Sequence, residues 1–321
     1  MKINYQVKIQ CTCEILWQQL SIKELHGHWV EQAFPNAQMK GDWPVVGQEV
    51  SFIDPLGNET VVIIDGIELG KGISLRHVAI LADNERFETG PEATTWTMTK
   101  EHYEISDLGQ EVIFNVHVEC DMAYRDLFNQ MIPRAMQALK KDCEEVSENL
   151  KFPIGRPKIK NTLNPKERKF LIDQIESLPS ELSELLKGAS KQSLGLNYRP
   201  KGWSIAQVVH HLADSHMNSF IRFKLALTEN IPRIKPYQED LWAELADSSS
   251  TEVEDSLVLL TALHKKWTVL LNSLNENQWK QAMKHPEKAD LVTLDQALQL
   301  YAWHGNHHLS HVNQALSYKF D

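Results

Sequence analysis

Fourteen histidines occur in the 321 residues, and nine of them lie beyond residue 204. Two clusters stand out. One is Val208-Val209-His210-His211-Leu212-Ala213-Asp214-Ser215-His216, and the other is Trp303-His304-Gly305-Asn306-His307-His308-Leu309-Ser310-His311. On a helix, residues four apart share a face and lie about 6 Å apart along the axis. His304 and His308 meet that condition, so both imidazoles can reach one metal ion at roughly 2.0–2.1 Å. His307 and His311 repeat the spacing on a slightly rotated face. A third ligand must come from another helix, and the first cluster offers His210 or His211. Three protein nitrogens with one position left open is the pattern of a catalytic site, because a structural site closes all four. His216, His307 and His311 read more simply as hydrogen-bonded core residues or as groups behind the ligands. His264 and His285 read as ordinary histidines. Asp214, one turn from His211, is placed to orient a ligand or activate a water. Arg222, three turns after His211, shares its face and can hold an anionic substrate group. No cysteine occurs beyond residue 143, and no Gly-x-Ser-x-Gly elbow is present, which leaves this half without a thiol or elbow-type serine nucleophile.

The elements that must carry these residues change period midway. Residues 3–9 alternate apolar and polar, the mark of a half-buried strand. Cys13 to Leu20 fits a short helix with Ile15, Leu16 and Leu20 inward. Pro35, Gly41, Pro44 and Gly47 punctuate loops. Strands are expected at Val61–Ile64, Ile73–Leu81, Thr94–Ile105 and Val112–Val118. In the last, Val112, Phe114, Val116 and Val118 share a face. An amphipathic helix from about Ala123 to Leu150 closes this half, with Leu127, Met131, Ala135, Ala138 and Leu139 on one stripe. Pro133 argues for a kink or for a later start. A Pro- and Lys-containing stretch follows, and beyond it the period is helical. Four long helices are expected. The first begins at Asn164-Pro165, cap and first position. The second spans Ile205 to about Thr228 after Ser204 as cap, and the third Glu252 to Leu274. The last runs from Leu294 to Leu316 after Thr293 as cap. They imply an antiparallel bundle.

Composition is that of a globular chain, with 42% apolar and 24% charged residues. Residues 1–152 carry a net charge of −11 and residues 153–321 a net charge of +1. An acidic half beside a neutral one speaks for two domains and against nucleic acid, which needs a basic face. No apolar run approaches the ~18 residues of a membrane span, and the N-terminus lacks a signal-peptide core. A cytoplasmic protein that does not engage membranes is expected, with the thiols of Cys11, Cys13, Cys120 and Cys143 reduced.

Two resemblances sharpen this reading. The order of strand, short helix, antiparallel strands and closing helix, with Trp17 on the first helix, resembles the START-like, helix-grip superfamily. The nearest members are the homologues of heat-shock chaperone ATPase activators. That resemblance implies a curved sheet around a long helix and an apolar cavity for which Trp29, Trp43, Trp96 and Phe114 are candidate linings. The second half resembles the DinB superfamily, and within it the YfiT-like proteins described as metal-dependent hydrolases. The likeness lies in Phe152-Pro153-Ile154-Gly155, in Tyr198-Arg199-Pro200-Lys201-Gly202-Trp203, and in Gln207 to Asn218. It continues in Arg222 to Glu229, Lys235-Pro236-Tyr237 and Tyr301 to His308. Leu196-Asn197 departs from the Thr-Pro that the family tends to have before Tyr198. The resemblance implies a divalent metal, zinc or nickel, held by His211, His304 and His308. It also implies an activity divided between hydrolysis and transfer of low-molecular-weight thiols. The expected fold class is α+β in two domains: a helix-grip domain over residues 1–150, a linker over 151–164, and an all-α DinB-like four-helix bundle over 165–321. The expected partner is a small molecule, a thiol among the possibilities, and an oligomer is allowed. The alternative is a small-ligand-binding or stress-response protein whose metal is structural.

Overall fold

The computed structural model describes residues 1–33, 36–82, 85–287 and 289–317, and Pro35 lies outside them. By contacts the chain divides into two compact units, Met1–Glu148 and Asn149–Asp321.

The first unit contains β1 (Lys2–Ile9), α1 (Cys13–Ser21), α2 (Lys23–Ala33), β2 (Gln38–Lys40), β3 (Glu49–Ile53), β4 (Glu59–Glu68), β5 (Gly72–Ala82) and β6 (Glu85–Phe87). After them come α3 (Pro91–Thr97), β7 (Lys100–Asp107), β8 (Val112–Glu119) and α4 (Arg125–Lys151), whose last three residues, 149–151, belong to the second unit. One antiparallel sheet runs in the order β1-β8-β7-β5-β4-β3-β2, with β6 on β5. Period-two alternation sets its register: Val112, Phe114, Val116 and Val118 are buried, while Ile113, Asn115 and His117 are not fully so. The helix-grip architecture follows, a curved antiparallel sheet with the long α4.

Several expectations need correction. Thr94–Thr97 is helix, not strand: Pro91 at the first position of α3 starts a helical turn, which overrides the β-propensity of the threonines. α4 runs unbroken through Pro133. An interior proline costs about 3 kcal/mol. Here it sits on the exposed face, where water can reach the freed Asn129 carbonyl, and the opposite face buries Phe128, Met131, Ile132, Ala135, Met136 and Leu139. Phe128 takes the core place expected of Leu127, which is 40% exposed.

A cavity of about 270 Å³ is lined by Leu75, Ile80, Phe128, Met131 and Ile132, with Trp29 and Trp96. His77, Glu101 and Tyr103 form its polar edge, with His77 Nε2 2.9 Å from Glu101 Oε1. Trp43 and Phe114 are not part of its lining. Trp43 stacks on His26 at 3.9 Å and donates to Leu20 O at 2.8 Å, and Phe114 is fully buried.

His26 is wholly buried among Trp43, Trp29, Phe52 and Tyr103, and neither ring nitrogen has a hydrogen-bond partner among the described residues. Burial pushes its pKa from 6.5 to about 3. Because the folded value is the lower one, the neutral ring contributes stability above pH 6.5. That contribution is lost as pH falls from 6.5 towards 3, by about 1.4 kcal/mol per pH unit. Urea unfolding of the first unit should therefore show a steeper loss of midpoint between pH 6.5 and 4 in the wild type than in His26→Phe. Parallel pH profiles would contradict the assignment.

The second unit holds α5 (Pro165–Leu185), α6 (Lys191–Leu194), α7 (Ile205–Thr228), α8 (Glu239–Ala243), α9 (Glu254–Asn272) and α10 (Glu276–Trp279). A small hairpin of β9 (Ala282–Lys284) and β10 (Leu291–Thr293) precedes α11 (Leu294–Ser317). Asn164 caps α5 and Ser204 caps α7 with reciprocal capping boxes, and Thr293 Oγ1 accepts from Gln296 N at 3.2 Å. The bundle is not a simple up-and-down one. α5 and α7 each pack against α9 and α11, so helices consecutive in the chain, α5 with α7 and α9 with α11, stand on diagonals. The long connections at 186–204 and 273–293 allow this crossing. Residues 152–164 carry no helix or strand and lie along α11: Trp303 Nε1 donates to Gly155 O at 3.0 Å, and Gln299 bonds both backbone groups of Lys160. A Cβ on Gly305 would stand 2.7 Å from Leu178 Cδ2, so this glycine lets α11 approach α5 closely.

Candidate metal centre

The site sits where α7 and α11 face each other. His211 comes from α7, and His304 and His308 come from successive turns of α11. A nitrogen of each lies within 4.8 Å of a nitrogen of the other two. His211 Nε2 and His304 Nε2 are 3.1 Å apart. Two ligands of a tetrahedral ion at 2.0–2.1 Å would lie roughly 3.3 Å from one another, so the donors already stand near ligating separation. Trp203, just before the Ser204 cap, walls the cluster, with its ring 4.7 Å from His211 and 6.4 Å from His308.

Electrostatics disfavour protons on these rings. Burial pushes the His211 pKa down to about 4 and those of His304 and His308 well below 6.5, with neighbouring histidines adding to the effect. At neutral pH the three rings are bare imidazoles, the form that ligates metals. An all-imidazole set suits zinc, nickel, copper or iron better than the oxygen-seeking magnesium or calcium.

The structure separates the histidines that spacing left open. His210 faces away: Nδ1 meets Ser256 Oγ at 2.8 Å and Nε2 meets Ser250 O at 3.0 Å. His311 lies behind His308, with Nδ1 atoms 3.4 Å apart and its Nε2 3.1 Å from Lys151 O. His216 lies behind His304 at 3.1 Å and leads to His264. His307 stacks on Trp303 at 4.4 Å. Asp214 is half-buried; burial and the charge of Asp247 raise its pKa, against His210. Arg222 donates to Tyr301 Oη at 3.2 Å and to Lys235 O at 2.9 Å.

A cleft of about 680 Å³ reaches His304, and Arg222, Tyr237, Glu239, His285 and Tyr301 line it. The sequence alone does not single out Glu239. Its Oε2 is 4.0 Å from His211 Nε2, and burial together with Asp240 raises its pKa. Burial likewise raises Tyr237 to about 12. Nothing periodic ties Glu239 to the histidines, since it starts a five-residue helix in a connection; the preceding Lys235-Pro236-Tyr237 was the only nearby signal.

Fold and site together describe a helical bundle with a cluster of three histidines on two facing helices. Residues 174–312 match the DinB superfamily. YfiT of Bacillus subtilis (strain 168), provisionally named a metal-dependent hydrolase, is 44% identical over 168 residues, covering 52% of this chain and 94% of that protein. A relative in Bacillus cereus (strain 03BB102), with the same provisional description, is 47% identical over 164 residues, covering 51% of this chain and 94% of its own length. The solved structure of YfiT from Bacillus subtilis shares 43% identity and a TM-score of 0.51 over 52% of this chain and 95% of that one. It is described as having "an unusual four-helix bundle topology". This chain belongs to the DinB superfamily through its second unit. For the first unit, the Aha1 dimer from Colwellia psychrerythraea is 16% identical with a TM-score of 0.35 over 45% of this chain and 96% of that one; the helix-grip architecture rests on the strand order above.

Proposed function

We propose that the second unit is a metal-dependent enzyme in which His211, His304 and His308 hold one divalent ion, zinc or nickel. It would act on a small molecule by hydrolysis or by transfer of a low-molecular-weight thiol. The observation that carries this reading is the convergence of three bare imidazole nitrogens within 4.8 Å at a cleft large enough for a small substrate. The provisional names of the relatives, metal-dependent hydrolases, support it.

When bound, a divalent ion there supplies an electrophile that brings a water or a thiol into its anionic form near neutral pH. The residues of the chain do the rest. Glu239, whose Oε2 stands 4.0 Å from His211 Nε2 at the edge of the cleft, is the base that accepts the released proton at its carboxylate oxygen. Arg222, fixed by Tyr301 and Lys235, presents its remaining N–H groups to an anionic group of the substrate. Trp203 excludes water from the His211 side.

The test is turnover before and after metal removal, against thiol–electrophile pairs and small amides and esters. The expected result is activity lost on chelation, with the helical signal kept, and recovered on adding zinc or nickel. Activity unaffected by complete metal removal would refute the enzyme reading as stated.

The cavity of the first unit favours a second role beside this one, the binding of a small apolar ligand. An apolar fluorescent probe should bind saturably, and Trp96→Ala should weaken binding several-fold. Unsaturable binding, or binding untouched by Trp96→Ala, would remove this role.

A further inference from the structure

Behind the three candidate ligands stand buried histidines that the proposed function does not use. Two hydrogen-bonded series run away from the site, and each ends on a backbone carbonyl. The first leaves His304 on α11. His304 Nδ1 lies 3.1 Å from His216 Nε2 on α7, His216 Nδ1 lies 2.9 Å from His264 Nε2 on α9, and His264 Nδ1 lies 2.5 Å from Ile175 O on α5. It passes through all four long helices. The second leaves His308: its Nδ1 lies 3.4 Å from His311 Nδ1, and His311 Nε2 lies 3.1 Å from Lys151 O.

A carbonyl only accepts, and a neutral imidazole has one N–H and one bare nitrogen. Direction therefore propagates from each carbonyl. Ile175 O requires the proton of His264 on Nδ1, which leaves its Nε2 bare. His216 must then donate through Nδ1, and its own Nε2 is bare. His304 must donate through Nδ1 in turn, which leaves Nε2, the atom 3.1 Å from His211 Nε2, with a free lone pair. In the second series Lys151 O requires the proton of His311 on Nε2, so His308 donates through Nδ1 and its Nε2 is bare.

We infer that His216, His264 and His311 are positioning residues: two tautomer relays anchored on Ile175 O and Lys151 O fix both α11 ligands as Nδ1–H imidazoles that present Nε2 to the metal. The inference rests on the proposed ligand set. It gives His216, His264 and His311, all buried in the bundle around the site, a part in the centre. It also gives α5 and α9, which contribute no ligand, a part in the centre.

The experiment has two arms on the full chain. In the metal-free protein, nitrogen–proton correlation spectra of the histidine rings should show the Nδ1–H tautomer at His304, His216, His264 and His308 and the Nε2–H tautomer at His311. An Nε2–H tautomer at His304, His216 or His308 overturns the relay whether or not the protein binds metal. In the second arm, zinc affinity is read by chelator competition. His264→Phe, which keeps an aromatic ring against Trp267 and acts through His216, should weaken zinc binding about 10-fold, the lower end of the effect of losing a partner directly behind a ligand. His264→Gln should restore most of it, because its amide donates to Ile175 O and accepts from His216. Equal affinity in wild type and a folded His264→Phe overturns the inference. Failure of the wild type to bind zinc or nickel overturns the ligand set instead, and the spectra still decide the relay.

Discussion

Replacing His304 with alanine should strip the purified protein of its metal, with affinity falling by more than the ~100-fold upper end seen for residues behind a ligand. His304 is the junction of the site. Its Nε2 faces His211, its Nδ1 faces His216, and it borders the cleft. His211→Ala and His308→Ala should act alike, because two remaining nitrogens leave an ion without its third donor. His210→Ala is the informative contrast. It lies next to His211 in sequence, yet its ring is spent on Ser256 and Ser250, so metal content should persist. Metal analysis of the four variants checks this. Equal metal loss in His210→Ala, or full occupancy in His304→Ala, would refute the assignment.

The second large effect concerns what holds α11 in place. Arg168 on α5 and Asp295 at the start of α11 are both buried. They pair through two hydrogen bonds of 2.7 and 3.0 Å, and Asp295 also accepts Leu163 N at 3.2 Å. Asp295→Ala leaves the guanidinium buried with the largely exposed Glu276 as its remaining ion-pair partner among the described residues. Breaking a buried pair from one side costs about 3–5 kcal/mol. Denaturant unfolding of the second unit should shift by that amount, and Arg168→Met combined with Asp295→Leu should recover much of it. A shift below about 1 kcal/mol for Asp295→Ala would show that the pair contributes little.

The sequence made the site's helical half legible because i, i+4 spacing and helix caps are local properties. His304 and His308, Asn164-Pro165, Ser204 and Thr293 all signal within a few residues of themselves. What required the structure is non-local. His210 and His211 differ by about 100° of rotation on one helix, and only the packing of α9 shows which ring is turned aside. Glu239 approaches His211 through a connection of no fixed period. The diagonal placement of consecutive helices depends on loop paths. Thr94–Thr97 reads as strand by composition, and the Gly90-Pro91 start decides otherwise. The relays were hidden for the same reason: each histidine alone looks like a core residue, and only the distances between helices join them.

The most direct test of the central claim is anomalous scattering at the metal edge from crystals of the full chain prepared with zinc or nickel. One peak is expected, roughly 2.0–2.1 Å from a ring nitrogen of each of His211, His304 and His308. No peak at that position, or a peak ligated by a different set of side chains, would contradict it.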